Sequence, residues 1–567
     1  MGIKYFFANF TKNHGDCIKT IHTDDSLDKH NIIIDTLGLD LNGMFHPAAQ
    51  KIFKYGKYAP KLKPLLSRAR NRKTQSVQSL RLQTFKEVCR MIDELVEKVK
   101  PRKRLLLCVD GVAGGGKINQ QRSRRFKSAK DREENNSDCM FDQNSITPGT
   151  EFMHHLNKYI DWYIRQKIQN GDWSHLEVVF SSEKTPGEGE HKILNLMRNH
   201  FTNPDEPFAI YGLDADLFML CLSLNRPNVY IYRDNMYNDN ERFVIDIGKF
   251  AQQLKTELET DSAVTDFIFV CFMVGNDFLP QLPGLEIFNG GIEILLDIYK
   301  KTCRPYGLVD TTTFNIRVNT LLRYFKELAS LELQALKNKY KIRRKYHLDP
   351  LMEEHFQYSR CIEHDGEFII DCNFEAYKKD YYSKKLNDIP VNTVCKEYIK
   401  GLQWVIHYYC IEIPSWSWYY PYLYAPFLDD LSKCADYKYT GYTPTVPYDP
   451  FQQLLAVLPP YSKNLLPEVM QNLLTSDLSP LAEYYPKDFD VDLSGKRAEW
   501  EGIIQIPVMN FKLMKQTYNQ VRKHISRRDA VRNVHKKHVR FTITDRPYYF
   551  KSFYGDIKKC IVEPKSF

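Results

Sequence analysis

Through roughly the first 300 residues, short apolar runs alternate with stretches of helical period. The runs are residues 31–34, 105–109, 178–180, 208–211 and 229–232. Alternation of this kind predicts a mostly parallel sheet with helices on both faces. In such open sheets, sites form outside the carboxyl ends of the strands. Several of the runs end in acids or Gly.

Five segments place acids at those ends. They are Leu39-Asp40-Leu41-Asn42-Gly43, Val109-Asp110-Gly111, Pro186-Gly187-Glu188-Gly189-Glu190-His191-Lys192, Gly212-Leu213-Asp214-Ala215-Asp216 and Gly275-Asn276-Asp277-Phe278. A single Asp before Gly or Ala is ordinarily a helix cap or a turn residue. The pairs Glu188/Glu190 and Asp214/Asp216 are two residues apart, a spacing that turns both carboxylates to one face in extended backbone. Seven converging acids would repel one another unless hard divalent cations neutralise them. Oxygen ligands suit Mg²⁺, and two ions about 4 Å apart clamp the attacking and leaving oxygens of a phosphoryl displacement. The expected metal ligands and catalytic groups are therefore Asp40, Asp110, Glu188, Glu190, Asp214, Asp216 and Asp277. Two Mg²⁺ ions are expected, with Mn²⁺ as a substitute.

Asp110 leads into Gly111-Val112-Ala113-Gly114-Gly115-Gly116-Lys117, and a basic helix follows. Lys117, Gln121, Arg124 and Arg125 share one face of it. A glycine-rich loop at a helix N-terminus offers N–H groups to a phosphate, and four donors on one face add a pocket for a terminal phosphate. Ile118 stands where a nucleoside triphosphate cradle needs a hydroxyl, so the pocket reads as a phosphate site beside the metals.

Composition narrows the class. With 43% hydrophobic and 26% charged residues, a disordered or fibrous chain is excluded. No apolar run approaches the ~18 residues of a membrane span, and the N-terminal residues lack the shape of a signal peptide. The 13 cysteines include no CxxC pair, so neither a disulfide framework nor a Cys-based zinc site is expected. An intracellular protein, cytoplasmic or nuclear and monomeric, is the expectation. Lys plus Arg is 79 against 70 acids, a net charge of +9 that hints at a polyanionic partner. Residues 48–86 hold eleven Lys or Arg and no acid, and 512–540 hold ten against Asp529 alone. The expected organisation is an α/β domain with the metal site at 1–305, a helical connector at 306–395, an aromatic-rich second domain closing that site at 396–515, and a basic C-terminal tail at 516–567.

These motifs resemble the XRN family of 5′→3′ exoribonucleases. The matching blocks are DLNGMFH, DGVA with KINQQRSRRFKSA, PGEGEHKI, YGLDADLFML and GNDFLPQLP, then GLQWVIHYY, PSWSWYYPYLYAPF and IPVMN. The resemblance implies that the seven acids bind metal and that Lys117, Gln121, Arg124 and Arg125 select a 5′-monophosphate. It also implies that His46 and either Trp416 or Trp418 stack the leading bases, with Trp418 favoured. The activity implied is hydrolysis of 5′-monophosphorylated single-stranded RNA to mononucleotides, with RNA as the partner. Lys4, the Gly114-Gly115-Gly116 loop, Gln281 and the basic 48–86 stretch depart from the family pattern. The rivals are a flap-type DNA endonuclease with the same acidic core and an inactive RNA-binding scaffold. The aromatic block argues against the first, and the complete acid set against the second.

Overall fold

The computed structural model describes residues 3, 5–59, 76–134, 140–360 and 368–567. Lys4 and the middle of the basic 48–86 stretch lie outside the described residues. The frame is one nine-stranded sheet, flanked by helices. Its strands are β1 (Ile18–His22), β2 (Thr36–Asp40), β3 (Arg104–Cys108), β4 (Glu177–Ser181), β5 (Phe208–Tyr211), β6 (Val229–Asp234) and β7 (Glu241–Asp246). Two small ladders supply β8 (Phe356–Arg360) with β9 (Phe368–Cys372), and β10 (Val491–Asp492) with β11 (Ile503–Ile504). The last two strands, β12 (Val539–Phe550) and β13 (Ile557–Ser566), return to the large sheet. Its order is β1-β7-β6-β5-β2-β3-β4-β12-β13. The five central strands, β6-β5-β2-β3-β4, pair in parallel, and the outer pairs are antiparallel.

Four of the five expected runs fall on strands. The exception is 31–34: Ile33 is half exposed, and the strand is the following Thr36–Asp40. That segment looks unlike a strand because of Gly38. A Cβ there would lie 2.6 Å from the Ile193 side chain, so the glycine marks a close helix-on-sheet contact.

The expected basic tail is instead structured. Residues 516–567 complete the helix Phe511–Val521, add short turns, and form the β12–β13 hairpin. Val539 pairs with Phe180 and Phe541 with Val178, extending the sheet past β4. Phe541, Ile557, Cys560 and Val562 are buried in the same core as β2 and β3. The alternation of these apolar residues with Lys and Arg is the half-buried strand pattern, and the cations conceal it in composition. Residues 306–395 hold the long helix Val318–Lys341, the β8–β9 ladder and the helix Phe374–Leu386. No described helix is long and apolar enough to cross a membrane.

Two cores flank the sheet, and a third joins the basic helix to the aromatic-rich half. Val112, Ala113, Ile118 and Phe126 pack with Tyr448, Phe451, Leu455, Met514 and Tyr518. Arg122, fully buried on that face, donates to the carbonyls of Ala456 and Tyr484. The second half thus holds the basic helix from behind.

The 512–540 cations are only partly free. Arg532 is buried, pairs with Asp529 at 2.7 Å, and lies over the Phe451 ring at 4.9 Å. Arg528 pairs with Glu151 at 2.7 Å. Arg532→Gln is expected to lower stability by roughly 2 kcal/mol, the value of hydrogen bonds to a charged group. Urea unfolding measures it; the salt dependence of RNA affinity should not change.

Candidate active site

Asp40 ends β2, and Asp110 stands two residues past β3. Glu188 and Glu190 follow β4, and Asp214 and Asp216 follow β5. Because β5, β2, β3 and β4 are neighbours, their carboxyl ends deliver these acids to one rim, as the strand-end rule requires. Asp277 arrives differently. It follows no strand but comes after the helix Ala263–Cys271 and the turn Phe272–Val274.

The two acid pairs are not extended either. Glu188 stands at the N-cap position of the helix Gly189–Asn199 without a side-chain capping bond and Glu190 sits in its first turn, while Asp216 begins the helix Asp216–Leu222. Convergence comes from loop-to-helix junctions, where the positive helix end also favours carboxylates.

Carboxylate oxygens of Asp40, Asp110 and Glu190 lie within 4.8 Å of one another. Backbone donors orient them. Gly189 N–H donates to Asp110 Oδ1 at 2.7 Å, and Asn42 N–H to Asp40 Oδ1 at 3.2 Å. The Asn42 side chain in turn accepts from the Asp110 N–H at 3.0 Å. The Tyr408 hydroxyl donates to Glu188 Oε1 at 2.8 Å, and its ring stacks on His191 at 3.8 Å. Asn42 and Tyr408 were not singled out as site residues in the sequence. Asn42 was visible inside DLNG, but Tyr408 reads as core and is indeed buried.

Burial pushes the Asp40 and Glu190 carboxyls well up, and neighbouring carboxylates add to it. Burial raises Asp216 to about 6. Burial also raises Glu188, against the pull of Lys117. For Asp277, burial is outweighed by the Lys117 ammonium, which holds it at about 2. Lys117 Nζ stands 2.8 Å from Asp277 Oδ2 and pairs with Glu188 as well. Lys117 therefore partners the acids rather than standing free for a phosphate. The remaining oxygens fit divalent cations: they are close and charge-frustrated, and Asp216 Oδ1 is buried with no hydrogen-bond partner among the described residues.

Asp40, Asp110, Glu188, Glu190, Asp214 and Asp277 share a cavity of about 450 Å³ with Lys117, Gln121, Arg124, Arg125 and His46. Asp216 is buried and is not among the residues that line it. Neither Arg124 nor Arg125 forms an ion pair among the described residues; Arg125 donates to Thr147 Oγ1 at 2.6 Å. Burial, with Arg124 adding repulsion, holds Arg125 down at about 9. Two adjacent guanidiniums without carboxylates make an anion site. Burial and these two cations lower His46 to about 4, leaving a neutral ring at pH 7.

Two expectations are corrected. The glycine loop does not offer its amides to a phosphate: Gly115 N–H donates to the Trp416 carbonyl at 2.8 Å and Gly116 N–H to the Trp418 carbonyl at 3.0 Å. Nor does Trp418 present a free face. It is buried, stacks on Trp404 at 4.8 Å, and packs against Gly401. Trp416 is half-buried, and neither indole lines the acidic cavity.

Gly189 is needed for its lack of a side chain. A Cβ would lie 2.3 Å from Asp40 Oδ1. Gly189→Ala is expected to displace that carboxylate and slow metal-dependent nucleotide release on the order of a hundredfold. Comparing the rate with the melting temperature checks it, the melting temperature staying within a few degrees of the parent (~3 °C).

The XRN 5'-3' exonuclease N-terminus matches residues 1–235, and the Xrn1 helical domain matches 257–369 and 363–560. Human 5'-3' exoribonuclease 1 is 30% identical over 549 residues, which cover 80% of this chain and 32% of the human one. The Saccharomyces cerevisiae 5'-3' exoribonuclease 1 is 28% identical, covering 80% and 40%. Arabidopsis thaliana 5'-3' exoribonuclease 2 is also 28% identical, covering 90% and 65%. The chain thus spans from about a third to just under two thirds of the length of these relatives. Strand-end acids, the basic helix and the aromatic half all fall inside the matched ranges, and the chain belongs to the XRN family of 5'-3' exoribonucleases.

Proposed function

We propose that this chain is a 5′→3′ exoribonuclease acting on single-stranded RNA with a 5′-monophosphate by two-metal-ion hydrolysis. The observation that carries this is one cavity in which clustered carboxylates face two guanidiniums that form no ion pair among the described residues. Family membership supports the same reading. Asp40, Asp110, Glu188, Glu190, Asp214, Asp216 and Asp277 would hold two Mg²⁺ ions, which when bound would supply Lewis-acid stabilisation of the charge on the scissile phosphate.

The other residues bind and orient. Arg124, Arg125 and Gln121 take the terminal phosphate, and the neutral His46 ring offers a base-independent stacking face. Tyr408 holds the Glu188 carboxylate in place. Water oxygen bonds to phosphorus, the bond from phosphorus to the 3′-oxygen breaks, and that oxygen takes a proton. The shortened strand again begins with a 5′-phosphate, so each product regenerates a substrate.

The test uses 3′-labelled RNA carrying a 5′-hydroxyl, 5′-triphosphate or 5′-monophosphate. Stepwise shortening of the monophosphate form in Mg²⁺, slower on the other two and absent in EDTA, is expected. Internal cleavage of a DNA flap with no action on RNA would overturn the reading.

A further inference from the structure

A second cavity lies on the other side of the basic helix. It encloses about 510 Å³, within the range of roughly 300–1,000 Å³ typical of small-molecule sites. Gln120, Ser123 and Lys127 line it from the helix, with Phe278, Tyr422 and Trp500 opposite. Arg124, Ser128 and Asp277 line both this chamber and the acidic cavity, whereas His46, Asp110 and Asp214 line the acidic cavity alone. The chamber therefore adjoins the acidic cavity along a wall that holds Arg124, assigned above to the terminal phosphate, and Asp277.

Its wall has the chemistry of a nucleotide site. Aromatic side chains are among its lining residues, and such rings can stack on a base. Arg124 and Lys127 offer charge to a phosphate. Both amide atoms of Asn119 and Oε1 of Gln120 are buried with no hydrogen-bond partner among the described residues, although both residues stand in this wall. Orphaned amide atoms are costly, and polar edges on a ligand would satisfy them.

Hydrolysis leaves the product in the phosphate pocket that the shortened RNA must next occupy. A product leaving by the route of the incoming strand would force that strand to back out. An opening at the 5′ end removes the conflict. Resting on the exoribonuclease reading above, we propose that this second chamber receives the released nucleoside 5′-monophosphate and is its way out.

Ser123→Trp fills the chamber from a position that does not line the acidic cavity. Release of the first nucleotide in a single turnover should stay within about twofold of the parent, while multiple turnover falls about tenfold as product exit becomes limiting. RNA affinity, measured with Asp214→Ala added, should not change. Gln120→Leu, a milder change, should slow multiple turnover in the same direction. Equilibrium dialysis of AMP against Arg125→Ala protein in EDTA reads the chamber without the intact phosphate pocket. Binding is expected, and Ser123→Trp should remove it. Unchanged multiple turnover in both variants, or no AMP binding, would overturn the proposal. Loss of RNA affinity would assign the chamber to the RNA strand instead and overturn it equally. If the parent protein released no nucleotide at all, the exoribonuclease reading would fail, and the dialysis would still judge the chamber.

Discussion

Alanine at Asp214 or Asp216 is expected to abolish nucleotide release while RNA binding survives. Asp214 lies in the loop after β5 and lines the acidic cavity; Asp216 begins the next helix, buried, with Oδ1 lacking a hydrogen-bond partner among the described residues. Neither is placed like a strand-tracking cation. Their role would be to neutralise metal charge, and losing a ligand removes several kcal/mol of transition-state stabilisation. About 4 kcal/mol corresponds to roughly a thousandfold in rate. The measurement pairs a Mg²⁺-dependent release assay with RNA affinity in EDTA. Near-normal turnover in Asp214→Ala would remove that residue from the metal set. Asp216→Ala carries a second signature: a carboxyl that burial raises to about 6 disappears from the cluster, so its loss should not destabilise the metal-free fold.

End selection is expected to fail when the paired guanidiniums are broken. Arg124→Ala or Arg125→Ala should slow 5′-monophosphate RNA and narrow its advantage over 5′-hydroxyl RNA. Each lost charge-assisted hydrogen bond is worth roughly 1.5–3 kcal/mol, on the order of tenfold to a hundredfold. Arg125 should show the larger effect. Its Thr147 contact fixes it, and it is less exposed than Arg124. Lys117→Ala should behave differently, lowering activity on both RNAs together, because its ammonium sits between Glu188 and Asp277. Equal slowing of both RNAs by Arg125→Ala would make the basic helix a general RNA contact. A selective loss from Lys117→Ala would return Lys117 to the phosphate pocket.

The four basic-helix residues were legible as one face, yet the structure divides them. Arg124 and Arg125 form no ion pair among the described residues, whereas Lys117 pairs with Glu188 and Asp277. Helical spacing settles which side chains share a face, but not what stands opposite. The same limit applies to the indoles. SWSW announced two aromatics near a site, and only the approach of the helix Val391–Cys410 shows that Trp418 is already stacked on Trp404. The β12–β13 hairpin was hidden for a compositional reason, since its outward Lys and Arg outnumber the acids and masked the alternating apolar face.

What the chain determined by itself is local. Acids directly after apolar runs, donors three and four residues apart, and long ordered family blocks are all carried by neighbouring residues. They sufficed for the parallel core and the family. What only the tertiary structure decided is every pairing between distant segments. Lys117 meets Asp277 across 160 residues and Tyr408 meets Glu188 across 220. The last strands close on β4, and two cavities share one helix. Such contacts depend on how the two halves pack against the helix Gly115–Glu134, and packing is set by the shape and burial of whole surfaces, which no short window of sequence contains.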